Sequence, residues 1–401
     1  MNVAELIYVK PFPPHFLWGS ATSAHQVEGN NTKNDWAFWE NVGKIKVPSG
    51  MACDHYNRYK EDIDVLVSLH QNAYRMSLEW SRIEPEQEEI QRTEINHYRQ
   101  VLKYLKEKKI TTFLTLHHFT SPTWFDWERL EAPSQFAQFT KLIAKELGDL
   151  VDFWITINEP YILAKHGYLE GDFPPGRRST TSMFRVLDNL IAGHNEAYNA
   201  IKEVVPAAQI GLAHNMSSYS PATKNKLDTL VTEVNKELRN CYILDRTQTT
   251  FIGVNYYSPK KLRFDPSSPG TFYSAKVKSD LPTTDMGWEI DAEGLYHVLT
   301  GLTQYGKPIY VTENGLADEK DEKRKGFIKT HLLAMRHAIS DGADARGYLH
   351  WSLLDNFEWG FGYKPRFGLI AVDYATQKRT VRESGKWYSE VCRTNTLQDS
   401  E

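Results

Sequence analysis

The stretch DFWITINEP, residues 152–160, decides the fold of this chain. It is an apolar, strand-like run that ends in the carboxylate of Glu159 and stops at Pro160. A charged side chain is seldom buried without a partner or a function, so this glutamate is either a strand end that reaches water or a functional group. A second stretch, PIYVTENG at residues 308–315, repeats the pattern: an apolar run, a threonine and then Glu313.

Apolar runs of this kind predict eight strands. Most are apolar through their middles rather than strictly alternating, as expected of parallel strands that are covered on both faces. The runs are FLWGSATSA (16–24), AYRMSLEW (73–80), TTFLTLHHF (111–119), DFWITINEP (152–160), QIGLAHNM (209–216), FIGVNYYS (251–258), PIYVTENG (308–315) and GYLHWSLLD (347–355).

Segments with helical periodicity separate the runs. The first carries Ile63, Leu66 and Val67 on one face, and the third carries Phe136, Phe139, Leu142, Ile143 and Leu147. The others lie near residues 94–107, 184–204, 224–241, 291–304, 323–340 and 380–392. Eight strands, each followed by a helix, predict an α/β protein with a (β/α)8 TIM barrel. A doubly wound sheet would also alternate, but no G-x-G-x-x-G follows the first strand.

The chain shows no Gly/Ser/Pro-rich linker and no short repeat, so residues 1–401 are expected to form one catalytic domain. The charge run DEKDEKRK at 318–325 is expected to be a solvated loop and helix start. The composition, with 41% hydrophobic and 24% charged residues, is that of an ordinary soluble protein.

A net charge of −4 gives no indication of a basic surface that would bind nucleic acid or of a polybasic patch that would bind a membrane surface. Three widely spaced cysteines, Cys53, Cys241 and Cys392, indicate reduced thiols rather than disulfides or a zinc site. The N-terminal MNVAELIYVKPFPPHF lacks the apolar core of a signal peptide, and no run approaches transmembrane length. We therefore expect a cytoplasmic protein.

Polar side chains gather at the C-terminal ends of seven of the eight predicted strands, where a barrel places its active site. They are Gln26 and Glu28 after strand one, Arg75 in strand two, His117 and His118 on strand three, Asn158 and Glu159 on strand four, Asn255, Tyr256 and Tyr257 on strand six, Glu313 and Asn314 on strand seven, and Trp351, Asn356, Glu358 and Trp359 in and after strand eight. A purely structural barrel has no need for so many hydrogen-bonding and stacking groups at one end.

Glu159 and Glu313 lie on strands three places apart around a ring of eight, so their side chains are expected to face each other across the mouth. Two carboxyl groups about 5–5.5 Å apart are what a retaining glycosidase needs, one as nucleophile and one as acid/base. Their surroundings should push the two pKa values in opposite directions. Arg75 would favour the ionised form of Glu313, and the charge on Glu313 would keep Glu159 protonated.

The sequence resembles the family 1 glycoside hydrolases of the β-glucosidase type. The motifs that carry the resemblance follow the order of the family over some 370 residues: FLWGSATSAHQVEG, CDHYNRYKEDIDVL, NAYRMSLEWSRIEP, TLHHF, TINEP, FIGVNYY, DMGWEI, VTENG, WSLLDNFEW and RFGLIAVDY. The resemblance implies a retaining enzyme without a cofactor. It would hydrolyse terminal β-D-glucosyl residues, and also β-galactosyl or β-fucosyl residues, of small β-glycosides or oligosaccharides.

The resemblance also assigns the site. It makes Glu159 the acid/base and Glu313 the nucleophile. The positions that match the sugar-binding residues of the family are Gln26, His118, Asn158, Trp351, Glu358 and Trp359. Arg75, Asn255 and Tyr257 match residues that position the nucleophile or its neighbours.

Three departures from the family concern the leaving-group side. The third strand reads His117-His118-Phe119 where Tyr-His-Trp is common, so an indole donor is lost. The segment 216–251 lacks much of an excursion that is common after the fifth strand, and Phe361 stands where many members carry a polar group.

Two alternatives remain open at this stage. A metal-dependent barrel enzyme could use His117, His118, Glu159 and Glu313 as ligands, although adjacent strand residues point to opposite faces and only one histidine can enter the mouth. A catalytically silent sugar-binding barrel would keep the aromatic residues and Gln26. The oligomeric state is not predicted.

Overall fold

The computed structural model describes residues 11–268 and 271–397. Eight parallel strands close into a barrel in which each strand pairs with the next along the chain and the last pairs with the first. They are β1 (Leu17–Ala21), β2 (Ala73–Ser77), β3 (Thr111–His117), β4 (Phe153–Asn158), β5 (Gln209–Met216), β6 (Ile252–Tyr256), β7 (Ile309–Asn314) and β8 (Ala345–Trp351). The predicted barrel and all eight predicted strands are confirmed.

A helix follows each strand and packs outside the barrel. The eight helices are α1 (His55–Ser68), α2 (Arg92–Glu107), α3 (Ala132–Leu147), α4 (Thr180–Val204), α5 (Lys226–Lys236), α6 (Ala292–Gly301), α7 (Arg324–Ser340) and α8 (Glu383–Thr394). Several predicted strands extended beyond the observed ends; the run 16–24, for example, is a strand only to Ala21. The residues beyond the ends of these strands continue the sequence pattern of a strand, but their backbone has already left the sheet and forms loops.

The interior of the barrel is filled at its N-terminal half by a layer of side chains. Its members come from all around the ring and include Ala73, Phe113, Ile155, Ala213, Phe251, Tyr310 and Leu349. Phe113 stacks on Phe153 with ring centroids 4.4 Å apart. Because this half is packed with apolar groups, the space for a site lies toward the C-terminal ends of the strands, as in other barrels of this kind.

The outer core lies between the strands and the helices. On α3, the predicted face is buried at Phe136, Phe139, Ile143 and Leu147, while Leu142 is only partly buried. This agrees with the pattern of an amphipathic helix against a sheet.

The prediction that the charge run 318–325 is solvated is wrong for Asp318 and Arg324, which are both buried. The Asp318 carboxylate accepts hydrogen bonds from the backbone N–H groups of Lys323 and Arg324 at the start of α7. The Arg324 guanidinium donates to the carbonyl groups of Asp318 and Arg366. The run therefore caps a helix, which stabilises the negative charge near the helix N-terminus.

Smaller elements surround the mouth and the outside of the barrel. They are the short helices Ala24–Val27, Asp35–Asn41, Trp80–Ile83 and Pro160–Ala164, the π-helical turns Lys165–Glu170 and Glu237–Cys241, the 3-10 turns Leu244–Arg246, Leu302–Tyr305 and Trp359–Phe361, a three-stranded sheet of Tyr219–Pro221, Lys260–Phe264 and Ser274–Lys276, and a hairpin of Ile370–Asp373 and Lys378–Val381. No helix within the described ranges combines the length and the apolar character that crossing a membrane requires. The N-terminal stretch MNVAELIYVKPFPPHF, in which no signal peptide is expected, lies largely outside the described residues.

Candidate active site

Glu159 follows directly on the last residue of β4. Its backbone has a positive φ of 45°, which turns the chain sharply at the rim of the barrel. Its backbone N–H donates to the carbonyl of Ala213 in β5 at 2.7 Å. The Oε1 atom accepts hydrogen bonds from Asn255 at 2.8 Å and from Asn215 at 3.1 Å. The side chain is buried, so the interpretation as a strand end that reaches water is wrong.

Glu313 lies within β7 and is also buried. Its Oε1 atom accepts a hydrogen bond from Arg75 Nη1 at 2.5 Å, and its Oε2 atom accepts one from the Tyr257 hydroxyl at 2.5 Å. Each carboxylate oxygen thus has its own donor, one of them a cation. Such charge-assisted contacts hold the carboxylate in a fixed orientation.

A network of side chains connects the two carboxyl groups. Arg75 Nη2 donates to Asn158 Oδ1 at 2.6 Å, and Asn255 Nδ2 donates to the same oxygen at 3.1 Å. Asn255 also binds Glu159, and its own Oδ1 accepts from Thr312 at 2.7 Å. These residues come from β2, β4, β6 and β7, so closure of the barrel is what brings them together.

Burial has the largest effect on the pKa values of Glu159 and Glu313. It raises the pKa of Glu159 from 4.5 to about 8, and the negative charge of Glu313 adds to the rise. The pKa of Glu313 is raised as well, because burial outweighs the opposing effects of Arg75 and Tyr257. The expectation that the surroundings push the two pKa values in opposite directions is therefore wrong for Glu313. Only Glu313 contacts a guanidinium, and this contact favours its ionised form.

A second group of polar side chains lies at the rim between β1 and β8. Gln26 Nε2 donates to the carbonyl of Phe357 at 2.8 Å, to Asn356 Oδ1 at 3.1 Å and to Glu358 Oε2 at 3.2 Å. Burial, with the charge of Glu313, raises the pKa of Glu358 to about 8. The sequence placed Gln26 and Glu358 in one pocket, and the structure brings them into contact.

Aromatic rings complete the lining. The His118 ring stacks on Trp351, with centroids 5.9 Å apart, and on Trp359, with centroids 6.3 Å apart. His118 Nε2 is 3.2 Å from Asn158 Nδ2, and burial together with Arg75 lowers the pKa of His118. The histidine is therefore neutral at ordinary pH and can donate or accept hydrogen bonds without adding a positive charge to the site.

His117 points away from the mouth, as the alternation of a strand requires. Its Nε2 atom contacts Ser121 Oγ at 3.0 Å and Trp127 Nε1 at 3.2 Å. A metal site that uses His117 together with the glutamates is incompatible with this geometry. Within the described residues, the side chains that come together as possible metal ligands are His166, Glu170 and Asp172.

Two features differ from the sequence-based expectation. Asn215 donates a hydrogen bond to Glu159 but is not among the site residues expected from the sequence. It lies near the C-terminal end of the fifth strand, so the rule that identified polar residues at the ends of the other seven strands would also have identified Asn215. The sequence places Phe119 with the leaving group, but its ring packs on Phe173 and on His118 and Trp359, two residues that the resemblance assigns to sugar binding. Phe361 is exposed, as a position on the outer rim would be.

The comparisons with known proteins agree with this geometry. The sequence profile of "Glycosyl hydrolase family 1" matches residues 8–249 and 242–397. The chain belongs to glycosyl hydrolase family 1. The two matched segments meet at 242–249, between β5 and β6, within the segment that the sequence predicts to be shortened.

Individual family 1 relatives cover nearly the whole chain. Beta-glucosidase A of Thermotoga maritima is 36% identical over 446 aligned positions, which include 98% of this chain and 100% of the relative. A beta-galactosidase of Pyrococcus woesei is 29% identical and covers 93% of this chain and 95% of its own length. The solved structure of a beta-glycosidase from Pyrococcus horikoshii superposes with a TM-score of 0.94 at 37% identity, over 98% of this chain and 97% of that one.

Proposed function

We propose that this chain is a retaining β-glycosidase that removes terminal, non-reducing β-D-glucosyl residues through a covalent glycosyl-enzyme. Glu313 is the nucleophile and Glu159 is the acid/base. The observation that carries the proposal is the pair of buried carboxyl groups on β4 and β7, of which only Glu313 is paired with a cation. A family 1 glycoside hydrolase needs this asymmetry at its reaction centre.

In the first step, Arg75 and Tyr257 hold the Glu313 carboxylate toward the anomeric carbon of the bound sugar. An oxygen of Glu313 forms a bond to that carbon while the bond to the glycosidic oxygen breaks. Glu159, kept protonated by burial, donates its proton to the departing oxygen. The leaving group is released as a neutral alcohol or phenol.

In the second step, the ester carries no charge on Glu313, and the ionisation of Glu159 becomes easier. The Glu159 carboxylate then accepts a proton from water as the water oxygen attacks the anomeric carbon. The bond to Glu313 breaks and the free sugar leaves with its original anomeric configuration. Asn215 and Asn255 donate to the same oxygen of Glu159 and favour the carboxylate in this step.

The remaining site residues bind the sugar. Gln26 and Glu358 present paired hydrogen-bonding groups for sugar hydroxyls, and His118 and Asn158 present another pair. Trp351 and Trp359 supply flat faces for the apolar faces of the pyranose ring. We propose that β-galactosides are hydrolysed as well, which a related beta-galactosidase supports, and that β-fucosides are accepted because the 6-hydroxyl is not needed for the chemistry.

We further propose that residues 1–401 form a single catalytic domain of a cytoplasmic protein. The three cysteines are unpaired, which fits a reducing compartment. The substrates are small β-glycosides or oligosaccharides, and no cofactor is used.

Removal of each carboxyl group tests the two roles. Glu313→Ala should abolish turnover, and added azide or formate should restore slow turnover with inverted configuration, because the small anion attacks from the vacated side. Glu159→Ala should retain the first step on dinitrophenyl β-glucosides, whose leaving groups need little protonation. The reverse behaviour would contradict the assignment. Retained sugar binding without hydrolysis by the unmodified protein would favour a silent sugar-binding barrel.

A further inference from the structure

Two basic side chains beside the mouth, Arg239 and Lys260, have no carboxylate within ion-pair distance among the described residues. The nearby carboxylates are already occupied: Glu170 binds Lys165 at 2.8 Å, and Glu289 binds Lys276 at 3.1 Å. Arg239 and Lys260 are both partly buried. A partly buried cation without a counter-ion costs free energy, so its presence calls for an explanation.

Lys260 belongs to the three-stranded sheet at the C-terminal end of the barrel, where it lies next to Tyr219 in the register. Its Nζ atom donates back to Ser258 Oγ at 3.2 Å. Ser258 directly follows Tyr257, whose hydroxyl binds Glu313. The ammonium group therefore lies beside Ser258, just after β6, rather than extending outward into solvent.

Arg239 lies on the π-helical turn Glu237–Cys241. The Asn240 side chain of this turn accepts a hydrogen bond from the backbone N–H of Ser217, just after β5, and donates one to the Ser217 carbonyl. The Arg239 guanidinium lies 5.4 Å from the centre of the Tyr161 ring, and its Nε atom is buried without a hydrogen-bond partner. Tyr161 follows Glu159 by only two residues, so Arg239 is close to the acid/base side of the site.

The leaving group must lie on this side. Glu159 gives its proton to the glycosidic oxygen, so the atoms beyond that oxygen pass next to Glu159 and the loops after β4, β5 and β6. Arg239 and Lys260 are on two of these three sides. Burial and the neighbouring cations Lys276, Arg239 and Lys165 lower the pKa of Lys260 to about 8, and the charge of Glu289 opposes this effect only in part.

We propose that Arg239 and Lys260 bind an anionic oxygen group, a carboxylate or a phosphate, on the leaving group of the substrate. The preferred substrates are then β-glycosides with acidic leaving groups, and the sugar itself remains uncharged. The inference rests on the proposed function, because it locates the leaving group from the role of Glu159.

The test compares two aryl glucosides of the same shape, 3-carboxyphenyl and 3-carbamoylphenyl β-D-glucoside, with 4-nitrophenyl β-D-glucoside as a neutral reference. The measured quantity is the ratio of kcat/KM for the carboxylate to kcat/KM for the amide. We expect this ratio to fall by roughly tenfold or more in Lys260→Met, because a charge-assisted hydrogen bond is lost. Differences in leaving-group acidity cancel because the ratio is compared between variants.

Two further variants serve as controls. Lys260→Arg keeps the charge and should keep most of the preference. Lys261→Met removes the next lysine, which points to the opposite face of the same strand, and should leave the ratio unchanged. An Arg239→Gln variant should lower the ratio independently of Lys260, which protects the test against a variant that fails to fold.

The outcomes separate this inference from the proposed function. If none of the three glucosides is hydrolysed, the proposed function is wrong. If 4-nitrophenyl β-D-glucoside is hydrolysed but the ratio is the same in the unmodified protein and in Lys260→Met, the inference is overturned. An effect of inorganic phosphate on the neutral substrate, without a preference for the carboxylate, would assign the cations to a free anion and would also overturn it.

Discussion

At the scale of single residues, Glu159 and Glu313 occupy equivalent places at the ends of two strands but have different partners. Glu159 accepts hydrogen bonds from neutral amides, whereas Glu313 accepts them from a guanidinium and a phenol. Burial penalises the charge of both, but only Glu313 has a cation in contact to offset that penalty. The difference in the proposed roles therefore arises from the partners and not from the glutamates themselves.

The raised pKa of Glu159 predicts the pH dependence of hydrolysis. Because burial raises this pKa from 4.5 to about 8, Glu159 stays protonated at neutral pH and loses its proton as the pH rises through about 8. We therefore expect kcat/KM for 4-nitrophenyl β-glucoside to decline above about pH 8. At acidic pH the rate should decline as Glu313 becomes protonated. The measurement is a pH profile under conditions in which the protein remains folded.

The pKa of Glu358 is also raised to about 8, so the alkaline limb needs a control. Glu159→Ala, assayed with a dinitrophenyl glucoside, should lose that limb. An alkaline limb that persists near pH 8 in this variant would assign it to Glu358 and contradict the role given to Glu159.

Glu358 itself is expected to bind sugar hydroxyls. Glu358→Ser should lower kcat/KM for β-glucosides by roughly 10²-fold or more, because hydrogen bonds worth about 1.5–3 kcal/mol each are lost. Lys364→Ala, an exposed change in the following loop, is the matched control and should have little effect. A variant Glu358→Ser with unchanged kcat/KM would remove Glu358 from the binding site.

The same residue predicts a limit on the substrate. Glu358 lies close enough to Glu313 for the two charges to interact, and its hydrogen bond comes from the neutral amide of Gln26. A dianionic phosphate on the sugar would be repelled by the Glu358 carboxylate, and the nearby cation Arg75 is already paired with Glu313. We expect no useful rate on 6-phospho-β-glucosides; efficient turnover of such a substrate would overturn this description of the pocket.

At the scale of elements, the segment between β5 and β6 is expected to contribute to the leaving-group side. The alignment with Beta-glucosidase A spans 446 positions, more than the 401 residues of this chain, so the relative has residues for which this chain has no counterpart. The sequence predicts that part of this difference lies in the segment 216–251, and a shorter segment there would provide fewer contacts for successive sugar units.

A less extensive leaving-group site predicts inefficient hydrolysis of long oligosaccharides. We expect kcat/KM to be higher for an aryl β-glucoside than for cellobiose, and to show no further gain for cellotetraose, because additional sugar units would find few contacts. A steady rise of kcat/KM with chain length, measured on the three substrates in parallel, would show that other loops fill the gap.

The contact between the ends of β7 and β8 depends on Gly315. An added Cβ at this position would lie 1.7 Å from the carbonyl oxygen of Trp351, which is possible only if one strand end moves. Gly315→Ala should therefore lower the free energy of unfolding by about 1–3 kcal/mol and lower kcat/KM by displacing Trp351. Thermal unfolding and kinetics measure the two effects.

Gly301→Ala is the matched control for that substitution. Gly301 ends α6, and an added Cβ there meets no atom within 4 Å. Because alanine is the better helix former, the free energy of unfolding should change by less than about 1 kcal/mol and toward greater stability. Equal losses in the two variants would contradict the role of the strand contact.

At the scale of the whole molecule, closure of the barrel sets the spacing of the two carboxyl groups. β4 and β7 are three places apart in the ring, and the network through Arg75, Asn158 and Asn255 spans the mouth between them. Carboxyl groups about 5–5.5 Å apart lead to retention, whereas separations of about 6.5–9.5 Å leave room for a water molecule and lead to inversion.

The proposed double displacement predicts the stereochemical course. The first product of β-glucoside hydrolysis, observed by NMR before mutarotation, should be β-glucose. Early α-glucose would mean that the carboxyl groups are too far apart for a covalent intermediate. A sample treated with chelator and dialysed should give the same product at the same rate, because the proposed steps use only side chains of the chain itself.

Much of the architecture could be predicted because it rests on local patterns. The apolar runs that contain Phe153 and Ile309 are buried on both faces in the structure, as their composition indicated. Glu159 and Glu313 can be identified as candidate catalytic residues from the sequence because a charged residue at the end of an apolar run is unusual. His118 was assigned to the mouth instead of His117 by resemblance to the family, and the alternation of a strand requires only one of them there.

The sequence by itself determined the order of strands and helices, the closed barrel and the positions of the two carboxylates, because short apolar runs and a helical periodicity of 3.6 residues can be read within short windows. Only the tertiary structure decided the raised pKa of Glu313, the burial of Asp318, the contact of Asn215 with Glu159 and the position of Phe119. Each of these depends on atoms brought together from distant parts of the chain. Desolvation in particular is a property of everything that surrounds a group, and no local pattern contains it.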